Sequence, residues 1–268
     1  MKYYSAVVSQ DEIDACCVIP PNNILASYHY FKNKENVIIE SIKKGFDVFI
    51  DSGAFSAMNS GKEIDINEYC LFLKRTGAIY YATLDVIGDA KKTLDNHKYM
   101  IKEHGLNPIP AFHMGSELKD LEPLLEYNYI ALGGLVFSSG ILNHCDLVWD
   151  YLLKNKPNIK VHGFGLTNIE LMERYPWHSV DSSSFKGCKR FGRQNILWNG
   201  FNFKTFSEEE YLIELQKQGH NIKDMTNKQK WFLYDFHSSQ SYKLYAENLK
   251  KINKYKKFNF LTDQTKLF

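Results

Sequence analysis

The sequence predicts an α/β fold, a TIM-type (β/α)8 barrel with C-terminal helices packed on it. Apolar, β-branched or aromatic runs recur along the chain and end abruptly in Asp, His or Gly, as is typical of buried parallel strands. Segments with helical spacing alternate with these runs across short connections, which indicates parallel β/α architecture. The length of 268 residues suits such a barrel, which needs about 250.

Eight strands are predicted, each of them an apolar run that a polar residue or glycine closes. In chain order they are Ile24–Tyr30, Phe46–Ile50, the run from Ala78 to Asp85, Pro108–Phe112, Tyr129–Leu132, Lys160–His162, His178–Val180 and Asn195–Trp198. Prolines at the start of the fourth strand are tolerated because a missing N–H costs little there. Eight strands close a barrel, whereas six would leave an open doubly wound sheet.

Each predicted helix follows a strand and carries apolar residues at helical spacing. The helices are Asn36–Lys44, Ile64–Arg75, Ala90–His104, Leu118–Glu126, Asp146–Lys154 and Asn168–Arg174. The first stops at Gly45 and the third at Gly105, because glycine adopts the left-handed conformation that ends helices.

The character of the chain changes after Phe206. Ser207 and Glu210 have the spacing of a capping box for a helix over Glu208–Gln218, and Asn227–Lys257 is helical and rich in Lys and Tyr. We predict a catalytic barrel over residues 1–206 and a helical extension of the same domain over 207–268. The last helix is interpreted either as a solvated face or as a nucleic-acid patch.

Composition limits the class of protein. The net charge of +2 does not indicate a nucleic-acid binder, so any basic surface must be local. The five cysteines are scattered without a CxxC pair, which is typical of free thiols in a reducing compartment. The first residues lack the apolar core of a signal peptide, and no run approaches the ~18 apolar residues of a membrane span. We expect a soluble, cytoplasmic protein that does not enter membranes.

Two strand-terminal carboxylates, Asp51 and Asp181, are the main candidates for chemistry. Strand ends converge at one face of an α/β barrel, and a carboxylate pair supports displacement at a sugar C1 carbon. Such Asp residues also cap helices and turns. Glycines follow two strands at 133–134 and 163–165, where they allow either close ligand approach or a turn. The sequence has no GxGxxG or phosphate-loop motif.

Seven segments resemble, in order, those of the tRNA-guanine transglycosylases (queuine tRNA-ribosyltransferases) and their DNA-modifying relatives. They are ILASYHY, DSGAF, LDVIGD, AFHMG, LGGLV, HGFG and SVDSSSF. The family is a zinc-bearing β/α barrel that exchanges a guanine in a nucleic acid for a 7-deazaguanine. The resemblance spans Ile24 to about Phe185. It implies a base-exchange glycosyltransferase, a pentosyltransferase, with a covalent glycosyl-aspartate intermediate.

The resemblance also implies individual roles. Asp181 would be the nucleophile at C1′, and Asp51 the general acid/base for the departing and incoming bases. Asp85 would bind the N1–H and amino edge of the base. Other implied base-binding residues are Ser52, Phe55, His113, Gly133, Gly134, Leu135, His162 and Gly163. Among these, the backbone at 133–135 would read the base carbonyl, and Phe55 and His162 would stack on the base face.

The chain departs from the family at informative positions. His113 stands where the family has Gln, His162 replaces Met, and Ala54 replaces a Gly. Family members place three closely spaced cysteines and a histidine after the nucleophilic strand. Here only Cys188 follows Asp181, whereas a structural zinc needs four ligands. We therefore predict no zinc and no other cofactor.

A short basic segment follows the predicted nucleophile. Its Lys186, Lys189, Arg190 and Arg193 alternate with aromatic residues, a combination that suits phosphates and unstacked bases. The expected partners are DNA, favoured over tRNA, and a free 7-deazaguanine such as 7-cyano-7-deazaguanine. The alternatives are a tRNA-specific enzyme, a nucleoside or glycoside hydrolase using the same carboxylates, and a catalytically silent nucleic-acid-binding subunit. The sequence leaves open a homodimer or an accessory protein.

Overall fold

The structure is a computed structural model that describes residues 1–135, 140–166, 168–187, 195–198 and 203–252. The strands are β1 Lys2–Val7, β2 Asn23–Ser27, β3 Asp47–Asp51, β4 Tyr80–Tyr81, β5 Ala111–His113, β6 Tyr129–Gly133, β7 Lys160–Gly163, β8 Ser179–Ser182, β9 Asn195–Trp198 and β10 Phe203–Phe206. The α-helices are α1 Gln10–Cys16, α2 Tyr28–Phe31, α3 Glu35–Lys43, α4 Ala54–Asn59, α5 Ile66–Thr76, α6 Ala90–His104, α7 Ile141–Asn155, α8 Ile169–Arg174, α9 Glu208–Lys217 and α10 Asn227–Ile252. Three 3-10 helices span Leu118–Glu126, Ser184–Lys186 and Ile222–Asp224.

The first eight strands form a closed parallel barrel. Their order is β4-β3-β2-β1-β8-β7-β6-β5, with β1 paired to both β2 and β8. The remaining gap between β4 and β5 closes through a parallel bridge between Ala82 and Ile109. The Ile109 N–H donates to the Tyr81 carbonyl at 2.8 Å, and the Thr83 N–H donates to the Ile109 carbonyl at 3.0 Å. The predicted (β/α)8 barrel is therefore confirmed.

The membership of the barrel differs from the prediction at both ends. Strand β1 and helix α1 were not predicted. The start of α1 does carry a sequence signal, because Ser9 and Glu12 have capping-box spacing and the Ser9 side chain accepts from the Glu12 N–H. The predicted eighth strand, Asn195–Trp198, is a strand, but it pairs antiparallel with β10 outside the barrel. The other seven predicted strands correspond to β2–β8, so each occupies one place later in the barrel than expected.

Two predicted elements change type. The run Ile24–Tyr30 ends as a strand at Ser27 and continues as α2. The segment Leu118–Glu126 forms a 3-10 helix that contains Pro123. A proline in the interior of a helix has no N–H to donate, so it disfavours a regular α-helix there.

Apolar packing is divided between the inside and the outside of the barrel. The inner cluster combines Tyr4, Leu25 and Phe49 with small alanines from β5 and β6. A larger cluster lies between the strands and the surrounding helices. Large aromatic rings and small alanines thus pack together inside the barrel, and functional groups of such barrels lie at the carboxyl end.

Helix α10 completes the ring of helices around the barrel. The Ser239 hydroxyl lies 2.9 Å from that of Ser5 on β1, and the Tyr245 hydroxyl donates to Glu173 of α8 at 2.9 Å. The helix also packs against α1. It therefore contacts both α1 and α8. The division of the chain at residue 206 stays a prediction. No helix within the described ranges combines the length and apolarity needed to cross a membrane.

Candidate active site at the carboxyl end of the barrel

Three carboxylates, here called the acidic cluster, meet where the barrel strands end. Asp51 is the last residue of β3, Asp85 follows β4, and Asp181 is the third residue of β8. Asp85 is 9% exposed and Asp181 is 5% exposed. The charges of both act on Asp51. Segments that are distant in the sequence thus deliver three carboxyl groups to one nearly enclosed site.

The carboxyl group of Asp51 lies where a negative charge is disfavoured. Burial, followed by the charges of Asp85 and Asp181, raises its pKa to about 7. The Gly53 N–H opposes this shift by donating to Oδ2 at 3.0 Å, and the nearby Ser27 hydroxyl opposes it as well. A group whose pKa is close to neutral can both give and take a proton under ordinary conditions. Asp51 therefore has the property that a general acid/base requires.

Asp85 forms a pair with His113 and keeps one oxygen without a partner. His113 Nε2 lies 3.3 Å from Asp85 Oδ2. Burial lowers the pKa of His113, but the contact with Asp85 and the charge of Asp51 outweigh it, so the net shift is upward. Asp85 Oδ1 is buried and accepts no hydrogen bond from the described part of the chain. Leaving a buried acceptor without a donor costs free energy of folding. In a candidate site, an N–H group of a ligand could supply the donor that Asp85 Oδ1 lacks.

Asp181 is held by two donors that share one oxygen. The Gly165 N–H donates to Oδ1 at 2.9 Å, and His162 Nε2 lies 3.2 Å from the same atom. Oδ2 accepts nothing from the residues that the structure describes. The carboxylate is thus fixed in orientation through one oxygen, while the other is left for chemistry.

The histidine of the Asp85 pair rests directly on a glycine. A Cβ placed on Gly133 would lie 2.6 Å from His113 Nδ1, far inside van der Waals contact. Gly133 ends β6, and His113 ends the neighbouring strand, with the two in register. The absence of a side chain at 133 therefore permits the position of the imidazole.

We expect Gly133→Ala to displace the His113 ring from Asp85 and so to lower the pKa of His113. The raised pKa depends on the nearby carboxylates, and their effect decreases with distance. Titration of the histidine signals by NMR measures this change. Gly187→Ala is the matched control, since a Cβ there meets nothing within 4 Å. An unchanged His113 titration in Gly133→Ala would contradict the close packing.

Gly53 is the second glycine that the site requires. Its φ is +77°, and an added Cβ would lie 2.4 Å from Ser27 Oγ and 2.6 Å from His29 Cβ. Gly53→Ala should therefore destabilise the protein by about 2–4 kcal/mol, because strain and overpacking act together. Urea unfolding measures the loss. Gly61→Ala, with φ +63° but open space around it, separates the strain from the clash; equal losses in the two variants would disprove the clash.

Several residues predicted to bind the base lie elsewhere. His162 is fully buried and stacks on Phe49, with ring centroids 4.6 Å apart, so its ring cannot stack on a ligand at the mouth. Ser52 is also fully buried, and its hydroxyl accepts from the Ala54 N–H at 3.3 Å, which makes it a turn residue. Gly163 packs against Trp177, whose ring would lie 3.1 Å from an added Cβ. These contacts describe the role of the three residues in the fold, and direct contact of Ser52 and Gly163 with a base stays a prediction.

Other predicted residues remain near the mouth. Phe55, on the first turn of α4, is 48% exposed. Gly134 follows β6 with φ +78°, and the next residue, Leu135, is buried. These positions are compatible with contact to a ligand, which stays a prediction.

The basic segment divides into a described and an undescribed part. Lys186 is 1% exposed, and its Nζ lies 2.9 Å from Glu12 Oε2. Contact with a phosphate would require this buried ion pair to break, and the predicted role of Lys186 in nucleic-acid binding stays a prediction. Lys189, Arg190 and Arg193 lie outside the described residues, as does Cys188.

The described ranges contain no arrangement of side chains suited to a metal ion. Within residues 1–135, 140–166, 168–187 and the described C-terminal part, no three His, Cys, Asp or Glu side chains are arranged to hold a metal ion. The described cysteines are Cys16, Cys17, Cys70 and Cys145, and all four are free thiols. The expectation that the protein uses no zinc stays a prediction.

Comparison with known proteins does not assign the chain to a family. No protein-family model and no curated protein matches the chain. Among solved structures, the chain is similar to tryptophan synthase from M. tuberculosis in its aminoacrylate-bound form, with 10% identity and a TM-score of 0.47 over 69% of this chain and 84% of that one. An open form of the same enzyme with BRD0059 bound gives 9% identity and a TM-score of 0.49 over 90% and 92%. Such values say nothing about activity, and the barrel is established by its strand pairing.

Proposed function

We propose that the protein is a base-exchange glycosyltransferase that replaces guanine in a polynucleotide with a 7-deazaguanine. The observation that carries the proposal is the contrast between two carboxyl groups at one barrel end. Asp181 is fixed by two donors, whereas Asp51 lies among like charges with a pKa of about 7. Carboxyl groups with different environments at one site are typical of enzymes in which one group attacks and the other transfers protons.

The proposed reaction proceeds by two displacements. In the first, Asp181 Oδ2 forms a bond to C1′ while the C1′–N9 bond breaks, and the departing guanine takes its proton from the Asp51 carboxyl group. In the second, the incoming base gives its N9 proton to the Asp51 carboxylate and attacks C1′, which releases Asp181. Two inversions preserve the configuration at C1′. One glycosidic bond replaces another, so no redox cofactor or ATP is required.

The pair of Asp85 and His113 supports a purine as the exchanged group. The unpartnered Asp85 Oδ1 suits the N1–H or amino group of guanine, because an ionised carboxylate only accepts hydrogen bonds. His113, whose pKa has a net upward shift, lies beside Asp85 Oδ2 and favours the ionised form of that carboxyl group. His113 would then take the place of the Gln found in the resembling family.

We favour DNA over tRNA as the polymer. The sequence lacks the closely spaced cysteines of the family's zinc element, which forms part of its tRNA-docking subdomain. A target base in duplex DNA would have to leave the stack before it could reach the site. The buried free thiols of Cys16, Cys70 and Cys145 suit a reducing cytoplasm.

The decisive experiment is incubation with radiolabelled guanine and, separately, with DNA or tRNA. We expect label to enter DNA without any other addition, since guanine exchanges for guanine in the same two steps. Label in tRNA instead would assign the alternative polymer. Release of free guanine from polymer or nucleoside without uptake would indicate a hydrolase. Tight polynucleotide binding with neither uptake nor release would indicate a silent binding subunit and would reject the proposal.

A further inference from the structure

A chain of hydrogen bonds runs through the barrel interior and ends on Asp181. The Tyr129 hydroxyl, from the start of β6, lies 2.6 Å from Ser179 Oγ on β8. Ser179 Oγ lies 2.7 Å from His162 Nδ1, and His162 Nε2 lies 3.2 Å from Asp181 Oδ1. Ser179 and His162 are fully buried. The chain therefore connects polar groups from three strands, and its central members are shielded from water.

The acceptor at its end gives the chain a direction. A carboxylate only accepts hydrogen bonds, so His162 Nε2 must carry a proton. In the neutral ring, Nδ1 then carries a lone pair and no proton, so it accepts a hydrogen bond from the Ser179 hydroxyl. The single hydroxyl proton of Ser179 is used in that bond, so its oxygen accepts from Tyr129. Burial raises the pKa of Tyr129 well above its ordinary value, which keeps this phenol protonated as a donor.

We propose that Tyr129, Ser179 and His162 are positioning residues that fix one tautomer of His162 and thereby select Asp181 Oδ2 as the attacking oxygen. Oδ1 accepts from His162 and from the Gly165 N–H, so it is turned away from the reaction. The same two donors stabilise the carboxylate when the glycosyl ester breaks in the second displacement. This role in the reaction rests on the proposed function, whereas the tautomer and the direction of the chain do not.

The sequence around these residues suits this role. Ser179 and Asp181 are two apart on one strand, so their side chains lie on the same face. His162 is in register with Ser179 on the neighbouring strand.

The test combines NMR of the imidazole nitrogens with single-turnover kinetics. In the unmodified protein, 15N spectra should show His162 protonated at Nε2 and unprotonated at Nδ1. Ser179→Ala removes the donor to Nδ1 and leaves Asp181 as the one remaining contact of the chain that selects the tautomer. We therefore expect the form protonated at Nδ1 to become detectable and covalent-adduct formation to slow by about 10- to 100-fold. Ser179→Thr keeps the hydroxyl and should restore both signals. Tyr129→Phe acts one bond further away and should have a smaller effect.

Ser5→Ala is the matched control, because Ser5 is another fully buried strand serine and its hydroxyl pairs with Ser239, away from the site. A His162 ring protonated at Nδ1 alone or at both nitrogens would overturn the proposal. So would a Ser179→Ala variant that matches Ser5→Ala in both tautomer and rate. If no polymer takes up guanine, the proposed function fails, while the tautomer measurement still decides whether the chain has the inferred direction.

Discussion

Replacing Asp181 by asparagine is expected to reduce base exchange by roughly 10⁴-fold or more. The amide keeps the size of the side chain and can still accept from the Gly165 N–H, which lies 2.9 Å from Oδ1. It cannot form a glycosyl ester, because its oxygen is a poor nucleophile and its nitrogen carries no available lone pair. The loss should therefore appear in the chemical step, with the fold unchanged.

Uptake of labelled guanine measures this loss, and intact-protein mass spectrometry after denaturation detects the covalent adduct. The adduct should be present in the unmodified protein and absent from Asp181→Asn. Asp47→Asn is the matched control, since Asp47 begins β3 at the opposite end of the barrel and pairs with Lys2 at 2.7 Å. An Asp181→Asn variant that retains a tenth of the exchange would remove Asp181 from the role of nucleophile.

The architecture could be predicted from the sequence because each buried strand is marked by local composition. Seven strand runs and the polar residues that close them are visible without any tertiary information. The strand Lys2–Val7 is hard to predict because its apolar run is short and no polar segment with helical spacing precedes it. The strand Asn195–Trp198 was assigned to the barrel because an isolated apolar run does not reveal its pairing partner. Partner choice depends on the whole sheet, not on local residues.

The site was predictable at the level of strand ends but not at the level of side-chain roles. Asp51 and Asp181 follow from their positions at the ends of apolar runs. The buried position of His162 does not, because strand alternation places it inside the barrel only once the register with Ser179 is known. The ion pair of Lys186 is not predictable for a related reason, since its partner Glu12 lies 174 positions away in the sequence.

For some site residues that were not predicted, the sequence does contain a pattern that indicates their position. Ser179 precedes Asp181 by two positions, so the same alternation that exposes one carboxylate to the site directs that serine toward the same side. Gly53 stands within the DSGAF segment, but only the close approach of Ser27 and His29 explains why a glycine is required there. These requirements come from contacts between strands, which no single segment contains.

Asp51→Asn is expected to make the protein slower and more stable. As the proposed general acid/base, Asp51 should contribute about 10²–10⁴-fold to the rate. The variant should also lose the part of the pH–rate profile that reflects its ionisation near pH 7. Exchange rates measured from pH 5 to pH 9 test both effects, with Asp47→Asn again as the control. A profile that keeps its inflection near pH 7 in Asp51→Asn would assign that ionisation to another group.

The gain in stability follows from the direction of the pKa shift. The carboxyl group has an ordinary pKa of 3.8 and a folded-state value of about 7, so the folded protein binds the proton more tightly than the unfolded chain does. The free energy of unfolding therefore decreases as the pH rises from about 4 to about 7. Above about pH 7 the carboxyl group is ionised in the folded protein, and the whole destabilising effect of its buried charge is present. Asparagine stays neutral, so at pH 8 Asp51→Asn should be more stable by on the order of 1–3 kcal/mol, with little difference at pH 4. Urea unfolding at the two pH values measures this. A residue kept at a cost to stability is expected where function requires its charge, and a destabilised Asp51→Asn at pH 8 would show instead that Asp51 serves the fold.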